Sequence, residues 1–348
     1  MSASSELTTL MESPRSGRVA WVDVIVIGFQ GERWLPECLE SLQKAVGGGC
    51  RIVLVDNGGN GDVSEFGLDS GSSVVLRTPR RMGFAEANNF ALQQVGLESQ
   101  AVCFLNQDTL SEPGWLEACL ECLTEHPDVG AVSPLLRNYD DTGWDSGFLA
   151  CAGKSDRLLA IINGQAGGDD FFEVPRVTAA AMVVRSDVLR EVGPFDPIYG
   201  SYYEDYDLCL RIRRAGFRVG VCTRGTVRHY SGSSTTSEEA EHKRMLQVIR
   251  NRAILRFREA GVRRMRSMLS YFAATFPWNL VRGICRTPSS QPVRVQLAAH
   301  ASLLSELPRL ASAQTDAEEW QRYLKDLGCS RKSGEPLENA VAPMGATD

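Results

Sequence analysis

A membrane-spanning run is missing from this chain: nowhere do about 18 apolar residues follow one another without interruption. The nearest candidate, residues 268–285, is broken by Ser270, Pro277, Asn279 and Arg282. That pattern suits a helix lying on a protein or membrane surface rather than one crossing a bilayer. Positive net charge is missing as well. At −6 over 348 residues, the chain lacks the basic excess that bulk nucleic-acid binding requires. The first 20 residues carry no apolar h-region, so no secretory signal is read there and a cytoplasmic setting is expected. The ten cysteines are scattered, and Cys103, Cys209 and Cys222 sit inside apolar runs as buried reduced thiols do. Cys119 and Cys122 form a C-x-x-C, but with no second pair or nearby histidine they read as packed thiols rather than zinc ligands. Two glycine-rich phosphate cradles are absent too: neither G-x-G-x-x-G after the first apolar run nor G-x-x-x-x-G-K-[ST] occurs.

What is present is an alternation of β-branched runs and amphipathic stretches. Residues 22–30 read as a buried strand, 33–46 as a helix with Trp34, Leu35, Cys38, Leu39 and Leu42 on one face, and 51–55 as a second strand. Residues 74–76 and 101–105 continue the strands, with helices over 84–95 and about 113–125. Such alternation predicts a mostly parallel α/β sheet with helices on both faces. Residues 137–173 are rich in Gly and Asp and show little periodicity, as long functional loops do. The expected organisation is a polar disordered tail at 1–20, a catalytic α/β unit at 21–236, a helical region at 237–330 and a flexible tail at 331–348.

Ligands of open parallel sheets bind outside the carboxyl ends of the strands. Asp56-Asn57 and Asn106-Gln107-Asp108 stand at such ends, and Glu204-Asp205 is set alike by analogy of position. Each cluster alone is equally a turn former; three in one unit point to a site. Without a glycine-rich cradle, a bound nucleotide diphosphate must be neutralised otherwise, and a divalent cation on carboxylate oxygen is the natural device.

The order VIVIGFQGERWLPECLESL, IVLVDNGG, RRMGFAEANN, FLNQDT, VTAAAMVVRSDVLREVGPFDPIYGSYYEDYDLCLRIRRAG, RHYSGSS resembles the family 2 inverting glycosyltransferases, in particular their bacterial rhamnosyltransferase-like branch. The resemblance spans about residues 22–258, through the basic helix NRAILRFRE. It implies a GT-A type fold, Rossmann-like, with a C-terminal helical extension. It also implies transfer of a sugar from a nucleotide-diphosphate donor, dTDP-rhamnose or a UDP-hexose, to an acceptor hydroxyl. By the same resemblance Gly28, Phe29 and Gln30 hold the nucleotide base, and Asp56 bonds the base or its ribose. The stretch with Arg81, Gly83 and Asn88 runs along the donor. Asn106, Gln107 and Asp108 form the D-x-D-like motif, with Asp108 binding metal and sugar. His229 helps hold the metal, Mg2+ or Mn2+. Asp205, second acid of the pair with Glu204, is the catalytic base. The chain departs from the family pattern at Asn106, which leaves Asp108 a lone carboxylate, and at Arg81, where Asn is usual.

The chemistry suits these residue types. A diphosphate leaving group gathers negative charge that a cation offsets. The acceptor hydroxyl needs a carboxylate base on the opposite side. The acceptor class stays open among glycans, lipid-linked glycans and small metabolites. A catalytically silent binding protein of the same fold is the second reading, and a nucleotidyltransferase the third. Tyr199, Tyr202, Tyr203 and Tyr206 offer either a sugar platform or core packing. The arginines at 250, 252, 256, 258, 263, 264 and 266, followed by Tyr271, Phe272, Phe276 and Trp278, form either a solvated face or a contact with an anionic bilayer at the inner membrane surface.

Overall fold

The structure is a computed structural model that describes residues 22–311, apart from 47–48, 59–67, 69–71, 153–155, 165–169, 232–237, 279–280 and 282–290. The tails expected at 1–20 and 331–348 lie outside the described residues. The chain opens with β1 (Val22–Gly28), α1 (Leu35–Ala45), β2 (Cys50–Asp56), β3 (Ser73–Arg77), α2 (Phe84–Val95) and β4 (Ala101–Asn106). It continues through β5 (Thr109–Ser111), α3 (Trp115–Glu125), β6 (Val129–Asn138), α4 (Ser146–Ala152), α5 (Asp156–Ile162) and β7 (Phe171–Glu173). Then come β8 (Ala181–Arg185), α6 (Ser186–Val192), α7 (Glu204–Arg214), β9 (Arg218–His229), α8 (Glu238–Glu259), α9 (Arg264–Ser270) and α10 (Gln291–Ala311).

Local sequence accounts for the central elements. β1 is a run of β-branched residues buried along its whole length, as an inner parallel strand must be. Its one charge, Asp23, is fully buried and answered by Arg51 of β2 at 2.6 Å. α1 buries Leu35, Cys38, Leu39 and Leu42 on one stripe and carries proline in its first turn, where no N–H is needed. All eight cysteines among the described residues are free and buried, Cys119 and Cys122 included.

One mixed sheet holds nine strands in the order β3-β2-β1-β4-β8-β6-β9-β5, with β7 paired to β9. β1 to β4 are mutually parallel. β8 is antiparallel to both β4 and β6, and β9 is parallel to β6. Two reversals cancel, so β6 and β9 run the same way as β1, and only β8, β5 and β7 run against them. The expected parallel character therefore holds for most of the sheet.

The register puts the carboxyl ends in line. Gly28 faces Asp56, and Ile27 faces Asn106. Farther along, His229 faces both Asn138 of β6 and Thr109 of β5. One edge thus gathers the residues that the sequence marks. The stretch at 137–173 is less irregular than its composition suggests: it contains the end of β6, the helices α4 and α5, and β7.

A second apolar core lies under the C-terminal helices. Ala253, Ile254, Leu255 and Phe257 of α8 pack there with Met268, Tyr271, Leu303 and Leu310, and with Ile198 and Tyr199 from the turn ahead of α7. Among the described residues no helix is long and apolar enough to cross a membrane.

Candidate active site

The donor side of the edge is organised before any ligand arrives. Gln107 spends both ends of its amide on one residue: Oε1 accepts from Phe29 N at 2.8 Å and Nε2 donates to Phe29 O at 2.8 Å. Its side chain therefore shapes the loop after β1 rather than reaching outward. Gln30 follows in the left-handed region at φ 48°, exposed at the loop tip. Arg81 lays its guanidinium on the Phe29 ring, 4.0 Å from the centroid. Asn57 repeats the amide clamp on Met82, with bonds of 2.8 and 2.9 Å. Asp56 is buried and takes Arg77 Nε at 2.9 Å. Gly83 is glycine for a packing reason, since a Cβ there would lie 2.7 Å from the Gly200 carbonyl oxygen. Asn88 is buried, donates to Phe84 O at 2.9 Å and has no partner for Oδ1.

Beyond β4 the structure brings Asn106, Asp108 and His229 together. His229 Nε2 stands 3.5 Å from Asp108 Oδ1 and 3.3 Å from Asn106 Nδ2. Its other nitrogen, Nδ1, meets Asp145 Oδ2 at 3.2 Å. Burial alone would lower the His229 pKa, but the Asp108 and Asp145 carboxylates reverse this and bring it to about 9. Asp145 is buried too. That burial pulls its carboxyl upward, yet the bonds from His229, Ser231 and the Phe148 amide outweigh it and hold the carboxyl below its ordinary value.

Asp145 is the site residue that sequence reasoning missed. Its signal was local and faint: an Asp ahead of the first turn of α4 accepts Phe148 N at 2.8 Å, as an N-cap does. Among the described residues no three His, Cys, Asp or Glu side chains are grouped to cage a metal. Asp108 and His229 supply one carboxylate oxygen and one imidazole nitrogen side by side, a pair that suits a divalent ion completing its shell from phosphate oxygens.

The carboxylate pair opens α7. Asp205 accepts from Ala179 N at 3.1 Å and from Tyr206 N at 2.8 Å. Burial raises its pKa, and the bonds from Ala179, Tyr206 and Thr178 restrain the rise. Glu204 is pushed well above the carboxylate range by burial and by the charge of Asp205, and its buried Oε2 has no partner. Just ahead, Tyr202 and Tyr203 both hold left-handed backbone, at φ 71° and 74°. For residues with a side chain, that conformation costs about 1–2 kcal/mol each.

Cys151 of α4 links the two acidic groups. Burial first, and then the charges of Asp205 and Asp145, push its thiol to about 12. Of the tyrosines, Tyr199 is core and Tyr203 meets Tyr206 edge-on at 5.3 Å.

A clamped loop, a lone Asp beside His and a buried acid pair thus gather around the carboxyl ends of the strands. The model of the glycosyltransferase-like family 2 matches residues 20–249, and the chain belongs to that family. It is a glycosyltransferase that uses a nucleotide-sugar donor. It is 24% identical over 242 residues to an N-acetylglucosaminyl-diphospho-decaprenol L-rhamnosyltransferase of Mycobacterium tuberculosis, covering 63% of this chain and 79% of that one. In fold it is similar to the mannosyltransferase PcManGT of Pyrobaculum calidifontis, solved with GDP-Man and Mn2+. There the TM-score is 0.51 at 16% identity, over 92% of this chain and 86% of that one. It is likewise similar to GalNAc-T7, solved with UDP, GalNAc and Mn2+, with TM-score 0.52 and 15% identity over 69% of this chain and 48% of that one. This chain thus spans about half the length of GalNAc-T7.

Proposed function

We propose that the chain transfers a hexosyl group from a nucleotide-diphosphate sugar to an acceptor hydroxyl with inversion at the anomeric carbon, and that Asp205 is the general base. The observation that carries this reading is the acid pair at the start of α7. Asp205 is oriented by peptide N–H donors from Ala179 and Tyr206, which restrain the rise that burial gives its pKa, and the buried Glu204 beside it leaves one oxygen without a partner. A base so oriented accepts the acceptor's proton as the new glycosidic bond forms. Burial and the charge of Asp205 push the Glu204 carboxyl up, which disfavours a second charge beside the base.

On the opposite side the loop of Gly28, Phe29 and Gln30 receives the nucleotide base, with Arg81 backing the Phe29 ring. Asp56, Gly83, Asn88, Asn106 and Gln107 line or shape the donor's path. Gln107 and Gly83 act by fixing backbone; Asn88 Oδ1 still lacks a bond. Asp108 and His229 are the residues that would hold a divalent ion, Mg2+ or Mn2+. Such an ion, when bound, offsets the charge that gathers on the departing diphosphate. Asp145 would keep the His229 ring turned so that Nε2 faces the ion, as carboxylate partners of metal-bound histidines do.

The donor is dTDP-rhamnose or a UDP-hexose. Among glycan, lipid-linked and small-molecule acceptors, a lipid-linked one fits best with the described C-terminal helices, which pack against Ile198 and Tyr199. Met265, Leu269, Trp278 and Val281 are exposed there near the exposed Arg263 and Arg266, so this face suits a peripheral contact with anionic lipid on the cytoplasmic side. The deciding experiment incubates the full chain with dTDP-rhamnose or UDP-hexoses, Mn2+ and a lipid-linked acceptor. Nucleoside diphosphate release and the anomeric configuration of the product are then read by NMR. Inversion, with release abolished by Asp108→Ala, is the expected result; a retained configuration refutes the mechanism.

A further inference from the structure

The turn ahead of α7 is held from two sides. On one side stands the N-terminus of α2. Ala85 N donates to Gly200 O at 2.9 Å and Phe84 N to Ser201 Oγ at 3.1 Å, so the first amides of that helix are spent on the turn. Gly83 and Gly200 meet backbone to backbone. On the other side stands α8. Asn251, with no exposed surface, donates its amide to the carbonyls of Tyr199 at 2.7 Å, Ser201 at 2.8 Å and Tyr202 at 2.8 Å. Arg250 donates to Ile198 O at 2.7 Å and to Asn251 Oδ1 at 2.8 Å, which sets the amide's direction.

Carbonyl oxygens converge on one point only where a donor meets them. Here they converge at the place where the backbone is least favourable, since Tyr202 and Tyr203 hold left-handed φ without being glycine. The next two residues are Glu204 and Asp205. If that donor is removed, the bonds from α2 and Arg250 remain, but the carbonyls of Tyr199, Ser201 and Tyr202 lose their shared partner and the turn, with the acid pair behind it, is freer to relax toward ordinary backbone.

We infer that Asn251 is a positioning residue for the transfer: by gathering three carbonyls of the turn at 199–202, it fixes Asp205 relative to the donor stretch at 81–88. Residue 251 lies in α8, outside the residues read above as contacting the donor. The extension thus takes part in catalysis through geometry. The inference rests on the reading of Asp205 as the base.

The test uses the full chain with dTDP-rhamnose or UDP-hexoses, Mn2+ and a lipid-linked acceptor, together with hydrogen exchange of the free protein followed by mass spectrometry. Asn251→Ala should lower kcat about a hundredfold, the scale expected when a reacting group is displaced by roughly 1 Å, while the donor KM stays near wild type. Exchange should quicken across 199–207 and stay slow in β1 and β4. Adding Tyr202→Gly, which accepts the left-handed backbone without strain, should restore part of the lost kcat. Asn251→Ser keeps one donor and should fall between the two; it serves if the alanine variant does not fold. The inference is overturned if a folded variant keeps its kcat, or if protection falls equally in β1 and β4. Wild-type protein that turns over none of these donors would refute the transfer reading, and the exchange comparison would still decide whether Asn251 holds the turn.

Discussion

The two halves of the site are built on opposite principles. On the donor half, Gln107 is satisfied on Phe29, Asn57 on Met82 and Asp56 on Arg77, and only the Asn88 amide oxygen among the donor-side groups named above is left open. On the transfer half, acids are buried together, one oxygen of Glu204 has no partner, and two tyrosines hold costly backbone. The first arrangement lowers the energy of the protein before any ligand is bound. The second raises it, as sites that must change protonation during a reaction do. On the proposed reading, binding and chemistry fall to separate stretches of the site.

The contrast breaks first at Asp205. Asp205→Asn should cost about a thousandfold or more in kcat, the scale of a lost general base. Because burial raises the folded pKa of Asp205 above its unfolded value, ionising it costs stability as pH rises past the ordinary carboxylate range. The Asn variant should therefore melt higher than wild type at neutral pH and no higher at acid pH. A variant that melts lower at neutral pH would contradict the assignment of strain to this half. The wild-type rate should fall with decreasing pH through a limb above the ordinary Asp value, and calorimetry with rate measurements checks both.

Asp145→Asn should follow. Loss of the Nδ1 partner frees the His229 ring, and Mn2+ affinity should drop about 10- to 100-fold, read by titration of donor hydrolysis and by calorimetric Mn2+ binding with donor diphosphate present. Equal affinity in the variant would separate Asp145 from the metal. On the donor half the effect is smaller and of another kind. Gln107→Ala leaves the Phe29 amide without its acceptor, a loss of about 1–3 kcal/mol that should appear in donor KM and leave kcat near wild type. A fall in kcat alone would erase the division of labour between the halves. Smallest is the surface effect: sedimentation with phosphatidylglycerol vesicles should weaken in Trp278→Ala with Arg263→Ala and Arg266→Ala, each charge contributing about 1 kcal/mol. Binding that survives all three refutes the bilayer contact.

Much of this was legible in advance. The apolar runs at β1, β2 and β4, the helical stripe of α1, and the acids at strand ends all follow local rules, and their placement on one edge follows from parallel pairing. The arginines of α8 were not. Arg250 and Arg258, read in sequence with a surface stripe, turn inward, Arg258 to Asp196 and Asp207 and Arg250 to Ile198 O and Glu306. A charge run has no preferred side until the helix finds a partner. Asp145 was hidden for a related reason: its value depends on His229, 84 positions later.

By itself, then, the sequence determined the parallel strands, the family and the residue types of the chemistry, because periodicity and motif order are local properties. Only the tertiary structure decided which polar groups are already spent, as Gln107 is, and which remain unpaired, as Glu204 Oε2 does. It alone joined the turn before Asp205 to Asn251 in a distant helix. Burial and hydrogen-bond satisfaction are properties of neighbours in space, and no spacing along the chain states them.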